Sequence, residues 1–267
     1  MQASGDPFGT AHVAPTAGAN ATVHTDPKTT LVQPQGRGLR HLRPGARHTS
    51  ARTVVRRRSR RWTMRGAPKP ATIPMSIDPL DPRRTALLIM DVQPGIVALY
   101  PDATETFLTR LDKLAGAARA AGVKVIYVVV SFRPGHPEIS PRNLGFSRVK
   151  ESDRLVDQRV HARVAPQPGD VVVVKRRVSA FSGSDLKIVL RSHDVQHLIL
   201  SGIATSGVVL STLRQAADAD YRLTVLADCC LDADAEVHDV LINKIFPRQA
   251  TVTTADALIG ALEASRV

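Results

Sequence analysis

Thr85-Ala86-Leu87-Leu88-Ile89-Met90 is an unbroken apolar run that ends at Asp91. A run that is apolar at every position is typical of a strand buried on both faces of a parallel sheet. Two later runs are similar: 171–174 ends at Lys175, and 197–201 enters the turn Gly202 to Gly207. Ligands of open parallel sheets bind beyond the carboxyl ends of the strands. These ends therefore predict a site with an acid, an amine and a glycine-edged turn.

Downstream of Met75 the chain alternates apolar runs with amphipathic segments, which predicts one α/β domain over residues 75–267. The predicted strands are 85–91, 123–130, 171–175, 197–201, 222–227 and 250–253. Helices are predicted over about 105–121, 182–191, 205–219 and 236–245, with a last helix capped by Thr254. The long polar stretch 131–169 is expected to cover a site or to contain short helices.

Charge is distributed unevenly along the chain. Residues 1–74 carry thirteen Lys or Arg against two acids, Asp6 and Asp26, a net charge of +11 out of +12 for the whole chain. The segment with a predicted core is therefore nearly neutral, which argues against nucleic-acid binding by the domain. The basic character belongs to a tail rich in Gly, Pro and Arg, which we predict to be disordered.

Three interpretations of this tail, with its cluster Arg56–Arg61, remain open. It resembles an organelle transit peptide, or the cluster forms a nucleic-acid or localisation patch. The third interpretation, which we favour, is a mis-assigned start, with the natural protein beginning at Met75. Neither a secretory signal nor a run long enough to span a membrane is visible, so we expect a cytoplasmic protein without a membrane partner.

Four groups of residues form a recognisable set of motifs: Leu87-Leu88-Ile89-Met90-Asp91-Val92-Gln93; Val174-Lys175 followed by Ser179-Ala180-Phe181; Gly202-Ile203-Ala204-Thr205-Ser206-Gly207-Val208 with Thr212 and Asp218; and Tyr221-Arg222-Leu223-Thr224-Val225 with Asp228-Cys229-Cys230. Together they resemble the motifs of the isochorismatase-like hydrolases, the cysteine hydrolase superfamily. The resemblance covers the predicted domain and none of the tail. It implies a Rossmann-like three-layer α/β/α fold with a six-stranded parallel sheet.

Most members of this family use an Asp, Lys, Cys triad to hydrolyse amides through a thioester. Carried over by motif, Asp91 is the acid, Lys175 is the amine and Gly207 stands at the position of the cysteine. A glycine has no nucleophilic atom, so a covalent acyl-enzyme is excluded unless another residue substitutes. We do not expect Ser206, Thr205 or the adjacent cysteines Cys229 and Cys230 to replace it.

The chain therefore resembles the branch without the cysteine, the true isochorismatases. There an aspartic acid protonates an enol-pyruvyl (vinyl) ether and water attacks the resulting cation. Such a role requires the pKa of Asp91 to rise; burial would raise it, and a Lys175 ammonium would lower it. We expect a hydrolase of small organic acids or ethers, with isochorismate as the specific hypothesis. The alternative is an inactive family member that binds a small ligand or a partner subunit.

Five further positions are weaker candidates for substrate binding. Gln93 is expected to hold Asp91 or the substrate, Phe181 to form a wall of the pocket, and Arg133 to meet a carboxylate. The resemblance implies a cis peptide at Ile203-Ala204, and a substrate site at Ala204 and Thr205 that includes the Gly207 N–H. We expect no metal and no cofactor, a small-molecule substrate, and by resemblance a homo-oligomer, either a dimer or a tetramer.

Overall fold

A six-stranded sheet organises the described part of the protein. The computed structural model describes residues 80–151 and 155–264. All neighbouring strands are parallel, in the order β3-β2-β1-β4-β5-β6. The strands are β1 Thr85–Met90, β2 Lys124–Val130, β3 Val171–Lys175, β4 His197–Ile203, β5 Arg222–Leu231 and β6 Thr251–Thr253. The predicted Rossmann-like α/β fold is confirmed.

The strand order places a topological switch point between β1 and β4. The chain builds outward from β1 to β3, then returns to add β4 on the other side of β1. The connections leaving β1 and β4 run in opposite directions from this point, which opens a crevice at the carboxyl ends of the two strands. Asp91 and the turn from Gly202 follow these two strands.

Seven α-helices lie in the described residues: α1 Pro94–Val97, α2 Pro101–Ala120, α3 Leu144–Glu151, α4 Leu186–Ser192, α5 Leu210–Ala217, α6 Ala235–Val240 and α7 Ala255–Ala264. One face of the sheet packs with α2 and α7, and the other face packs with α4 and α5. Alternate residues of β1 therefore enter two separate apolar clusters: Leu87 and Ile89 enter one, Leu88 and Met90 the other.

Several helix ends differ from the sequence prediction. Helix α2 begins at Pro101, four residues before the predicted start, because proline is well suited to the first turn of a helix. The helix predicted over 205–219 begins with a π-helical turn, Thr205–Val209, before α5. Similarly, α6 continues into the π-helical turn Leu241–Ile245 and the 3-10 turn Phe246–Arg248.

The fifth strand does not end at Asp228, as predicted, but continues to Leu231. Its pairing with β4 shifts register between Leu200 and Gly202 and then resumes. The Asp228 carboxylate accepts a hydrogen bond from Ala255 N at 2.9 Å and pairs with Arg110 at 3.1 Å. Asp228 thus anchors α7 and α2 and does not project from a strand end.

The long polar stretch contains short helices, as expected: α3 and the 3-10 turn Ala162–Val164. Within residues 80–151 and 155–264, no helix is long and apolar enough to cross a bilayer. The predictions about residues 1–74, the Arg56–Arg61 cluster and a start at Met75 concern sequence outside the described residues.

Candidate active site

Asp91 follows the buried strand β1 in a left-handed backbone conformation, with φ of 58°. Aspartate is among the residues that tolerate this region, which costs larger side chains more. The Asp91 N–H still donates to Val128 O at 2.7 Å, so the residue remains bound to β2 while its backbone turns. The carboxyl group is held inside the protein, and the residue is only 5% exposed.

Lys175, the last residue of β3, meets this carboxyl from two strands away. Its Nζ lies 2.9 Å from Asp91 Oδ2 and also donates to the carbonyls of Arg177 and Val178, each at 3.0 Å. An ammonium has three N–H donors, so all three have partners here. The predicted convergence of an acid and an amine is present, and the charge of Lys175 is fixed in position.

Burial and the Lys175 ammonium change the pKa of Asp91 in opposite directions, and burial has the larger effect. Burial raises the pKa of Asp91 from 3.8 to about 6, although Lys175 and the backbone at Val130 both lower it. Asp91 Oδ1 is buried and has no hydrogen-bond partner within the part of the chain that the structure describes. Asp91 therefore offers one unoccupied oxygen and a proton that exchanges near neutral pH, which suits an acid or a base.

The turn after β4 passes very close to β1. Gly202 has φ of +136°, and a Cβ there would lie 2.1 Å from Met90 O, so only glycine fits. The Ile203-Ala204 peptide is cis, in agreement with the expectation from sequence. Thr205 is fully buried, and its Oγ1 lies 2.9 Å from His238 Nδ1.

The anion site expected at the start of the following helix is largely occupied by the protein itself. Ser206 N donates to Asp232 Oδ2 at 2.6 Å, and Gly207 N donates to Ala204 O at 3.1 Å. A backbone carbonyl already accepts from the Gly207 N–H in this arrangement, which favours a structural role for it over the expected oxyanion site. Asp232 is not among the residues predicted from sequence, although it directly follows β5 and so lies at a strand end.

Gly207 and Val208 differ in what surrounds them. Gly207 is half-buried; outside the backbone of its own turn, the described atom that an added Cβ would meet is Ala204 Cβ, at 3.8 Å. Val208 is 2% exposed and belongs to the apolar cluster that contains Met90. Of the two, Val208 has the inward-facing side chain. Neither residue carries a nucleophilic atom, so the turn lacks a thiol at both positions.

Gln93 holds the protein chain together at this edge of the sheet. Its Nε2 donates to Val130 O at 3.1 Å and to Asp157 O at 2.7 Å, while its Oε1 accepts from Val130 N at 2.8 Å. Its amide thereby ties the end of β2 to the segment around Asp157. Both polar atoms are engaged, a geometry that favours a supporting role over the predicted contact with substrate.

The other two predicted substrate contacts, Arg133 and Phe181, form contacts within the protein. Arg133 is largely exposed and pairs with Glu138 at 2.7 Å. Phe181 packs 6.1 Å from the ring of Tyr221, which precedes β5 and so lies toward the opposite end of the sheet from Asp91. A hydrogen bond from Ser179 Oγ to Gln215 Oε1, at 2.7 Å, holds this loop along α5. The structure does not bring Phe181 to the Asp91–Lys175 pair.

Both cysteines are buried in the sheet, as a structural role predicts. Burial raises the pKa of Cys229 far above its ordinary value and that of Cys230 to about 12. Such thiols stay protonated and are poor nucleophiles. Among the described residues no group of three or more His, Cys, Asp or Glu side chains is placed to hold a metal ion.

Comparisons of the chain with a family model and with known proteins agree on one family. Residues 85–257 match the isochorismatase domain. The chain is 31% identical over 197 residues to the uncharacterised isochorismatase family protein YecD of Escherichia coli O157:H7, covering 68% of this chain and 98% of that protein. It is 30% identical over 215 residues to the ureidoacrylate amidohydrolase RutB of Pseudomonas syringae pv. syringae, covering 70% and 84%.

The solved structures agree with the sequence matches. An isochorismatase family protein from Burkholderia thailandensis is 32% identical and aligns with a TM-score of 0.61, over 70% of this chain and all of that one. The fold, the matched domain and the relatives thus point the same way. The chain belongs to the isochorismatase family and is a hydrolase of that family.

Proposed function

We propose that this hydrolase cleaves a small organic substrate by proton transfer through Asp91, with water as the direct nucleophile and no covalent enzyme intermediate. The observation that carries the proposal is the buried Asp91 carboxyl. One oxygen is paired with Lys175 at 2.9 Å, the other has no partner among the described residues, and the pKa is about 6. The lack of a thiol at Gly207 and Val208 supports a route that needs no nucleophilic side chain.

For an enol-pyruvyl ether such as isochorismate, the protonated carboxyl acts first as an acid. Asp91 gives its proton to the terminal vinyl carbon, and the electron pair of the double bond forms the new C–H bond. The adjacent carbon becomes an oxocarbenium ion, to which water adds. The resulting hemiketal breaks its bond to the ether oxygen, giving an alcohol and pyruvate, and the proton released by water restores Asp91.

Lys175 supplies electrostatic control in this scheme. The ammonium is fixed by Asp91 and two carbonyls, so it stabilises the carboxylate that remains after proton transfer. Burial keeps the acid form available near neutral pH, and the lysine limits how far the pKa rises. A group with a pKa near the working pH is effective in general acid catalysis.

Amide hydrolysis is the second candidate, favoured by the likeness to the ureidoacrylate amidohydrolase over 84% of that protein's length. In that reaction the ionised Asp91 would take a proton from water, and the hydroxide would attack the amide carbonyl. The C–N bond of the tetrahedral intermediate would then break as Asp91 returns the proton to the departing nitrogen. The two candidates use the same carboxyl in opposite protonation states, so their rates should depend on pH in opposite directions.

The test is to assay the full chain on isochorismate and on ureidoacrylate, following pyruvate and ammonia release respectively. We expect pyruvate from isochorismate, and a fall in kcat/KM of about 10²- to 10⁴-fold in Asp91→Asn. Asp157→Asn is the matched control, because Asp157 is an exposed carboxylate paired with Arg159. A wild-type protein that binds these compounds and turns over neither would favour the inactive, ligand-binding alternative.

We further propose that residues 75–267 form the functional domain, which works in the cytoplasm as a homo-oligomer, either a dimer or a tetramer, without cofactor. The family match over residues 85–257 supports the domain. Light scattering of the purified chain measures the oligomeric state, and a monomer at micromolar concentration would refute the last expectation.

A further inference from the structure

Positive side chains are concentrated beyond the carboxyl ends of β2 and β3. Lys175, Arg176 and Arg177 are consecutive, and Arg133 extends from the connection after β2. Arg133 and Arg176 share a negative partner, Glu138, whose Oε1 lies 2.7 Å from Arg133 and 3.5 Å from Arg176. One carboxylate therefore serves two guanidinium groups.

The Arg177 guanidinium has backbone carbonyls as partners, unlike Arg133 and Arg176, which pair with a carboxylate. Its guanidinium donates to the carbonyls of Arg176, at 2.6 Å, and of Glu138, at 2.9 Å. Over residues 80–151 and 155–264 it forms no ion pair with a carboxylate. The side chain is half-buried, so water screens its charge only in part. A guanidinium has five N–H donors, and three of them remain after these two bonds.

The backbone of Arg177 connects it to the proposed acid. Its carbonyl accepts from Lys175 Nζ at 3.0 Å, and the same ammonium lies 2.9 Å from Asp91 Oδ2. Among the described residues, the ion pairs of Lys175, Arg133 and Arg176 use two carboxylates, Asp91 and Glu138, and Arg177 adds a fourth cation. The unoccupied Asp91 Oδ1 is a second, independent sign that a ligand completes the site.

We propose that Arg177 binds a carboxylate of an anionic substrate and so selects carboxylates over their neutral counterparts. This inference rests on the proposed function, in which the other end of the substrate reacts at Asp91. Arginine suits the role because its planar fork matches a carboxylate in two parallel hydrogen bonds, which a lysine ammonium cannot reproduce. Glu138 pairs with Arg133 and Arg176, so among these three arginines Arg177 is the one without a carboxylate partner in the described residues.

The experiment measures equilibrium binding and so does not depend on turnover. Ureidoacrylate, its methyl ester and pyruvate are titrated by calorimetry into the full chain carrying Asp91→Asn, with and without Arg177→Ala or Arg177→Lys. We expect Arg177→Ala to weaken binding of the two carboxylates, ureidoacrylate and pyruvate, by about 10- to 100-fold and binding of the ester by less than about 3-fold. Arg177→Lys should restore only part of the loss. The control Arg163→Ala removes an exposed arginine paired with Glu105 and should leave the affinity for all three compounds unchanged.

A purely structural role for Arg177 gives a different result. Loss of its contact with Glu138 O would then weaken the carboxylate and the ester by the same factor. That outcome overturns the proposal, as does a lack of preference for carboxylates over the ester in the Arg177-containing protein. Failure of the proposed hydrolysis would show in the turnover assays and would leave these binding ratios intact.

Discussion

The stability of the protein should depend on pH through Asp91 with a predictable sign. Its pKa is about 6 in the folded protein against an ordinary 3.8, chiefly because it is buried. The folded state thus holds this proton more tightly than the unfolded chain does. The corresponding stabilisation is fully present below the unfolded pKa and is lost as pH rises through the folded pKa near 6. The gap between the two pKa values corresponds to about 3 kcal/mol in the free energy of unfolding.

Asp91→Asn isolates this contribution, because a carboxamide stays neutral and its oxygen can still accept from Lys175. From about pH 4 to about pH 7 the variant should gain stability relative to the wild type, by a total approaching about 3 kcal/mol. Urea denaturation at a series of pH values measures the difference. In the control Asp157→Asn no such gain is expected, because Arg159 lowers the pKa of Asp157. A wild-type minus Asp91→Asn difference that stays constant with pH would refute the burial argument.

Four further substitutions test other parts of the structure. Gln93→Leu removes three hydrogen bonds at the carboxyl edge of the sheet and should lower the free energy of unfolding by about 3 kcal/mol, measured by denaturation; a loss below about 1 kcal/mol would make the tether unimportant. Gly202→Ala places a Cβ 2.1 Å from Met90 O, so the purified variant should melt at a clearly lower temperature; an unchanged Tm would contradict the close approach of β1 and β4. Because the side chain at 208 faces inward, into the cluster that contains Met90, Val208→Cys should gain ammonia release from ureidoacrylate. Gly207→Cys should gain no such activity and should react with a thiol reagent faster than Val208→Cys does; a gain of ammonia release in Gly207→Cys alone would assign the position of the family cysteine to Gly207.

The fold and the central pair were accessible from sequence because their signals are local. Continuous apolar runs identify buried parallel strands, and all carboxyl ends of such strands share one edge, so Asp91 and Lys175 could be placed together without coordinates. The cis peptide at Ile203-Ala204 was an implication of family resemblance alone.

Other features depend on tertiary contacts that no local pattern encodes. The amide of Gln93 was expected to serve Asp91 or a ligand, but it joins two distant chain segments. Phe181 follows Lys175 closely in sequence, yet bonds to α5 carry its loop away from the pair. The sequence indicated that burial and Lys175 would shift the pKa of Asp91 in opposite directions. It could not show which effect is larger, because burial depends on the whole fold.

The most direct test is the pH dependence of kcat/KM for isochorismate, which reports ionisations of the free enzyme. With Asp91 as the general acid, kcat/KM should fall as pH rises through about 6, and this break should be absent from the residual activity of Asp91→Asn. A break near pH 6 that persists in Asp91→Asn, or a wild-type profile that is flat through this range, would contradict the claim that the Asp91 carboxyl transfers the proton.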